Sequence, residues 1–265
     1  MSETFLTKIL NHKATEVRRQ IAKIPLAALE QRIARMPAPR DFAAALRCPP
    51  RTALIAEVKK ASPSRGVLVE AFDHLEIART YIKGGAAAIS VLTDIRFFQG
   101  SLLFLEGIRQ LPGVPPLLRK DFIIDPYQVY EARAYGADAL LLIVAALDDT
   151  QMRDLLKLTD DLGMQALVEV HDEAELERAL ALGVKIVGVN NRDLHSFNIS
   201  LETTARLAQR VGAEPERPVL VSESGIFTPE HVEMVRGRGA DAVLVGEALV
   251  TAPDMLGQVE ALVRA

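Results

Sequence analysis

From about residue 50 onward, short runs rich in Val, Ile, Leu and Ala alternate with longer runs whose apolar residues recur every three or four positions. The short runs, at 53–59, 87–92, 116–120, 139–144, 165–170, 185–190, 218–222 and 242–245, are rich in β-branched residues, Leu and Ala, with charged residues at or near their ends. That is the signature of strands buried on both faces. The longer runs, at 72–83, 126–135, 148–162, 174–182, 201–210 and 229–236, have helical period. Eight strands alternating with helices predict the α/β class and a closed (β/α)8 TIM barrel. A weak repeat agrees. Gly85-Ala86-Ala87-Ala88, Gly136-Ala137-Asp138-Ala139 and Gly239-Ala240-Asp241-Ala242 all fall where a helix gives way to a strand. Glycine accepts the left-handed backbone on which many helices end.

Residues 1–47 stand outside this alternation. Segments 4–22 and 26–36 read as two helices, with Ile9, Leu10, Val17 and Ile21 spaced for one face. Pro37, Pro39, Pro49 and Pro50 then break the chain before the first strand. The chain thus divides into an N-terminal helical extension, 1–47, and a barrel domain, 48–265. The pattern leaves two places for the extension: a plug at the bottom or side of the barrel, or a cap over its active-site end.

Composition narrows the function. The chain has 265 residues, 49% of them hydrophobic and 25% charged, as in a soluble globular protein. A formal net charge of −4 argues against a nucleic-acid partner, yet leaves room for local lysines to bind a small phosphorylated substrate. The single cysteine, Cys48, excludes an internal disulfide and points to the cytoplasm. The apolar run 139–147 is too short to span a bilayer, so no membrane association is expected. No pair of histidines has metal-ligand spacing, and there is no glycine-rich dinucleotide or nucleotide loop. No metal and no cofactor are therefore expected, and all five histidines read as structural, His195 alone lying near the expected site. No long apolar stripe remains outside the barrel pattern, so a monomer is expected.

Charged residues gather at the ends of the strands, where barrel enzymes build their sites. The first strand ends in Glu57 and Lys59, which share a face. A carboxylate and an ammonium on an apolar strand are expensive to bury without a use. A structural ion pair is the plain alternative. The loop Ser62-Pro63-Ser64-Arg65-Gly66 follows, a stiff turn suited to an oxyanion. The third strand ends in Arg119-Lys120-Asp121, the fifth carries Glu169, the sixth ends in Asn190, the seventh runs into Glu223, and the eighth runs into Gly246-Glu247. The strand beginnings are mostly small or apolar. Glu169 needs a cation from another strand, either Lys59 or Lys120, because Leu167 and His171 at its own parity offer none. Ser224-Gly225 and Gly246, after the last two strands, occupy the usual barrel phosphate site, where bare backbone can donate N–H groups.

Five blocks, in order along the chain, resemble those of indole-3-glycerol phosphate synthases. They are Ile55-Ala56-Glu57-Val58-Lys59-Lys60-Ala61-Ser62-Pro63-Ser64-Arg65-Gly66, Leu117-Leu118-Arg119-Lys120-Asp121-Phe122, Leu167-Val168-Glu169-Val170-His171, Gly188-Val189-Asn190-Asn191-Arg192-Asp193-Leu194 and Ser222-Glu223-Ser224-Gly225-Ile226. The resemblance implies conversion of 1-(2-carboxyphenylamino)-1-deoxyribulose 5-phosphate into indole-3-glycerol phosphate, carbon dioxide and water. It implies Lys120 as the acid for ring closure, with a lowered pKa, and Glu169 and Lys59 sharing the acid and base roles of dehydration. Glu57 would orient Lys59, and Asn190 and Glu223 would bind substrate oxygens. Arg192 would hold the anthranilate carboxylate. Ser62, Ser224, Gly225 and Gly246 would contact the phosphate, with Lys59 adding charge, and Glu247 would be a further substrate-binding residue. Pro63, Phe98, Phe122 and Leu194 would form the slot for the benzene ring. It also favours the cap for residues 1–47. Two other readings stand beside it: another sugar-phosphate enzyme on a TIM barrel, and a non-catalytic barrel that binds a phosphorylated ligand.

Overall fold

The computed structural model describes residues 4–47, 51–193, 198–212, 214 and 216–265. Eight parallel strands close into a barrel: β1 (Ala53–Val58), β2 (Ala88–Leu92), β3 (Leu117–Lys120), β4 (Ala139–Ile143), β5 (Gln165–Val170), β6 (Ile186–Asn190), β7 (Val219–Glu223) and β8 (Ala242–Val245). Each strand pairs with the next in sequence, and β8 closes on β1 with Ala242 opposite Ala53. The predicted strands lie within a residue or two of these. The two-stranded hairpin of Ala61–Ser62 and Gly66–Val67, just after β1, is the turn read from Ser-Pro-Ser-Arg-Gly.

Side-chain alternation decides what each strand contributes. Leu54, Ala56 and Val58 of β1 face the helices and join the outer core, whereas Ala53 and Ile55 face the barrel axis and join an inner one. Leu118, Leu141, Leu167, Ile186, Val221 and Leu244 belong to the same inner cluster. One step further along the same parity come Glu57, Lys120, Glu169 and Glu223. The barrel is thus apolar through its middle and ionisable at its C-terminal end.

Four helices after β2 and β8, Ile95–Phe98, Leu102–Arg109, Glu247–Val250 and Met255–Arg264, were not predicted. Two of them are a single turn, too short to display a period. Gly107 and Gly257 dilute the helical signal of the others. The glycines of the repeat behave as expected: Gly85, Gly136 and Gly239 have φ of 85°, 93° and 101°.

The aspartates of that repeat correct the expectation of bland strand beginnings. Asp138 Oδ2 accepts from Leu117 N at 2.8 Å and pairs with Arg109 at 3.1 Å. Asp241 Oδ2 likewise accepts from Leu220 N at 2.8 Å and pairs with Arg217 at 2.6 Å. Each ties the start of its strand to the preceding strand. Charge also collects at the bottom of the barrel, where it is architectural.

Residues 4–47 reach both ends. The helix Phe5–Lys23 lies at the C-terminal end, with Phe5, Leu6 and Ile9 in the wall of the central cavity. Ile9 and Val17 of its predicted apolar face are buried, but Ile21 is exposed and Lys13 occupies the buried stripe. Lys13 reaches Asp94 at 2.8 Å and Asp121 at 2.9 Å, beyond the ends of β2 and β3. The short helix Phe42–Leu46 sits at the other end, where Phe42 and Leu46 join the inner core and Ala43 N donates to Gln165 Oε1 at the start of β5. The extension thus contacts the barrel at both ends, through different helices.

Candidate active site

A cavity of about 230 Å³ opens at the C-terminal end of the barrel. Its walls include fifteen of the sixteen residues proposed from sequence: Glu57, Lys59, Ser62, Pro63, Phe98, Lys120, Phe122, Glu169, Asn190, Arg192, Glu223, Ser224, Gly225, Gly246 and Glu247. Leu194, like His195, lies outside the described residues.

Lys120 is at the centre. Its Nζ donates to Glu223 Oε2 at 3.0 Å and lies 3.6 Å from Glu169 Oε2. Lys120, not Lys59, is therefore the cation that Glu169 requires. Lys59 instead pairs with Glu57 Oε1 at 3.2 Å and lies 5.9 Å from the centre of the Phe98 ring. Adjacent strand residues point to opposite faces, so Asp121 turns away from Lys120 toward Arg119 and Lys13. Asn190 Nδ2 donates to Glu169 Oε1 at 3.2 Å, while Asn190 Oδ1 accepts from Arg192 N at 3.1 Å.

These contacts set the charges. Burial alone would lower the pKa of Lys120, but Glu223, Glu169 and Glu57 outweigh it and the ammonium is held above its ordinary value. The expected lowering is overturned by this ring of carboxylates. Burial pushes the Glu169 carboxyl up, yet Lys120, His171 and Asn190 pull it below the usual range. Burial also pushes Glu223 up, Lys120 offsets this only in part, and the nearby Glu169 adds repulsion, so Glu223 ends above the usual range. Glu223 Oε1 is buried with no hydrogen-bond partner.

Glycines make room for these groups. A Cβ at Gly188 would come within 2.1 Å of Glu223 Oε1, and one at Gly246 within 2.5 Å of Glu57 Oε1. After β7 the chain turns through two left-handed residues, Ser224 at φ 67° and Gly225 at φ 83°. Ser224 is held there by Asn191, whose Nδ2 donates to Glu223 O, Ser224 O and Ser222 Oγ while its Oδ1 accepts from Thr204. Serine in that conformation is strained and persists only where its surroundings fix it. Beside the turn, Ser62 is buried with its Oγ accepting from Arg65 N at 3.2 Å, and Arg65 lies 3.5 Å from Glu247. The rings of Phe98 and Phe122 stand 6.2 Å apart at 36°, one apolar wall of the cavity.

The family model described as indole-3-glycerol phosphate synthase matches residues 6–262. The chain belongs to the indole-3-glycerol phosphate synthase family. Curated members from Roseiflexus sp. (strain RS-1) and Roseiflexus castenholzii (strain DSM 13941 / HLO8) are 66% and 64% identical to it, each alignment covering 98% of both chains. Among solved structures, a 3-hexulose-6-phosphate synthase superimposes with a TM-score of 0.64 at 16% identity, over 80% of this chain and 99% of the other. Thiamine phosphate pyrophosphorylase from Pyrococcus furiosus gives 0.61 at 18%, over 79% and 93%. At such identities these two speak for the barrel fold alone.

Two groups escaped the sequence reading of this family member. Phe5, Leu6 and Ile9 reach the cavity from outside the barrel, and no spacing within the chain signals that approach. His171 was read as structural and as offering no cation to Glu169. Its Nε2 lies 3.3 Å from Glu169 Oε1, and its parity with Glu169 was the available signal. Among the described residues no group of three or more His, Cys, Asp or Glu could hold a metal ion, and no helix is long and apolar enough to cross a membrane.

Proposed function

We propose that this cavity closes the indole ring with Lys120 as the acid, and that Glu169, Lys59 and Glu57 carry out the dehydration that follows. As a family member the chain is a carboxy-lyase of tryptophan biosynthesis that acts on a phosphorylated small molecule. The observation that carries the proposal is the position of the Lys120 ammonium between two carboxylates in the wall of the cavity.

The aromatic carbon bearing the carboxylate is a weak nucleophile, so the ribulose ketone it attacks needs activation. The Lys120 ammonium stabilises negative charge growing on the ketone oxygen. Its raised pKa keeps it charged until that oxygen has become a strongly basic alkoxide, which then takes the proton. Loss of carbon dioxide returns the bonding electrons to the ring and restores aromaticity. Dehydration breaks the carbon–oxygen bond. One proton goes to the departing hydroxyl, and another leaves the neighbouring carbon to a base. Glu169, held anionic, suits the base, and the Lys59 ammonium suits the acid. Glu57 orients Lys59. Asn190 and Glu223 hold substrate oxygens, and Arg192 holds the anthranilate carboxylate before it leaves. Ser62, Ser224, Gly225 and Gly246 surround the phosphate, Lys59 adds charge, and Glu247 lines the same end of the cavity. Pro63, Phe98 and Phe122 flank the benzene ring.

The helix Phe5–Lys23 acts as the cap of this site, and 48–265 as the catalytic barrel. The single cysteine and the lack of a dinucleotide or nucleotide loop in the sequence support a protein working in the cytoplasm without a cofactor, and the lack of a long apolar stripe outside the barrel pattern supports a monomer. The assay is fluorescence of indole-3-glycerol phosphate formed from the carboxyphenylamino substrate. Lys120→Ala is expected to lose roughly 10²–10⁴-fold in kcat. An unaltered kcat would remove Lys120 from the chemistry.

A further inference from the structure

His171 stands two residues beyond Glu169 on the same face of β5, just past the strand end. The cavity wall includes Glu169 and not His171, so the imidazole sits behind the carboxylate. Its side chain is only 10% exposed. On one side Nδ1 meets Glu175 Oε2 at 3.0 Å. On the other, Nε2 lies at 3.3 Å from Glu169 Oε1, an ion-pair distance at poor hydrogen-bond alignment. Glu175 is itself pinned. Its Oε2 also accepts from the His171 backbone N–H at 2.8 Å, and its own N–H donates to Asp172, the N-cap of the helix Glu173–Ala181.

A neutral imidazole has one N–H and can satisfy only one of two flanking carboxylates, whereas the imidazolium serves both. Burial would lower the pKa of His171, but Glu169 and Glu175 outweigh it and bring it to about 10. The other groups facing Glu169 are Lys120 from β3, on the opposite oxygen, Asn190 from β6, and the Glu223 carboxylate from β7, which shares Lys120 with it. The turn Val144–Ala146, packed between β5 and this helix, carries no titratable side chain. Lys120 and Asn190 both lie on the cavity side. His171 is thus the support of Glu169 from behind.

We propose that His171, gripped by Glu175, is a positioning residue that fixes the Glu169 carboxylate in its orientation and in its anionic form for the dehydration step. The inference rests on the base role proposed above for Glu169. It makes Glu175–His171–Glu169 one functional unit that starts in the first turn of a helix and ends in the cavity.

The test is the pH profile of kcat, together with KM, for Glu169→Gln, His171→Gln, Glu175→Gln and the double variant H171Q/E175Q. Removing the imidazolium raises the pKa of Glu169, so the acidic limb of kcat should move to higher pH in His171→Gln. The expected loss in kcat is roughly 10–100-fold with KM within about 3-fold. Glu175→Gln should move both in the same direction by less, and the double variant should be no worse than His171→Gln. Should His171→Gln fail to fold, the limb of Glu175→Gln still decides. An unshifted limb with unchanged kcat in both single variants, beside an inactive Glu169→Gln, overturns the positioning role and leaves the base intact. A Glu169→Gln variant with full kcat overturns both.

Discussion

Two clusters of buried charge lie side by side at the C-terminal end of the barrel, and Lys120 and Asp121 assign adjacent residues to different ones. In the cluster around Lys13, the ammonium reaches Glu16 at 2.9 Å, Asp94 at 2.8 Å and Asp121 at 2.9 Å. Arg119 closes it, at 3.0 Å from Asp121 and 2.9 Å from Glu131, with Nε donating to Thr93. In the cluster around Lys120, two lysines face Glu57, Glu169 and Glu223, and one carboxylate oxygen has no partner. Both clusters set buried cations against carboxylates. The first cluster borders the cavity only at Asp121 and fastens a helix to two strand ends; the second lines the cavity with all its charges. Acceptors without a hydrogen-bond partner occur in both, at Glu131 Oε1 in the first and Glu223 Oε1 in the second, so access to the cavity, not saturation, divides architecture from chemistry.

The comparison can be broken most forcefully at Lys13. Lys13→Met leaves Asp94 and Asp121 buried with one fewer cation, and should cost about 3–5 kcal/mol in denaturant unfolding. Retained stability would mean that the Lys13 network does not fasten the helix. A smaller effect is expected at Gly188, where Ala would push the Glu223 carboxylate aside. Steady-state kinetics should show roughly 10–100-fold lower kcat, with little change in thermal midpoint. An unchanged kcat would mean that the position of Glu223 is not critical.

The smallest effect concerns pH and stability. The folded pKa of His171, about 10, lies above the ordinary histidine value near 6.5. A raised pKa means that the folded protein binds the proton more tightly than the unfolded chain does. The stabilisation is complete below about pH 6.5 and fades as pH rises through about 10. Denaturation of wild type and His171→Gln should therefore differ most at low pH and converge at high pH. A constant difference would contradict the imidazolium.

Much of this was legible in the sequence, for local reasons. Strand parity alone brings Glu57, Lys120, Glu169 and Glu223 to one end of the barrel, because a strand's alternation leaves no other choice. Lys13 was not legible. It occupies an apolar stripe between Ile9 and Val17, and only Asp94 and Asp121, far along the chain, make a lysine tolerable there. The sign of the Lys120 shift was missed for a related reason. Burial was foreseen, but the summed field of three carboxylates from three strands exists only once the barrel closes. The place of Phe42–Leu46 beneath the barrel likewise depends on a hydrophobic hole that no single strand displays.

The most direct test measures kcat and thermal midpoint for Lys120→Met and Lys13→Met in parallel. The two should cross. Lys120→Met is expected to lose roughly 10²–10⁴-fold in kcat while remaining folded, and Lys13→Met to lose its midpoint first while keeping most of its kcat at temperatures where it is folded. A Lys120→Met enzyme with wild-type kcat, or a Lys13→Met enzyme inactive at an unchanged midpoint, would contradict the division between the two clusters.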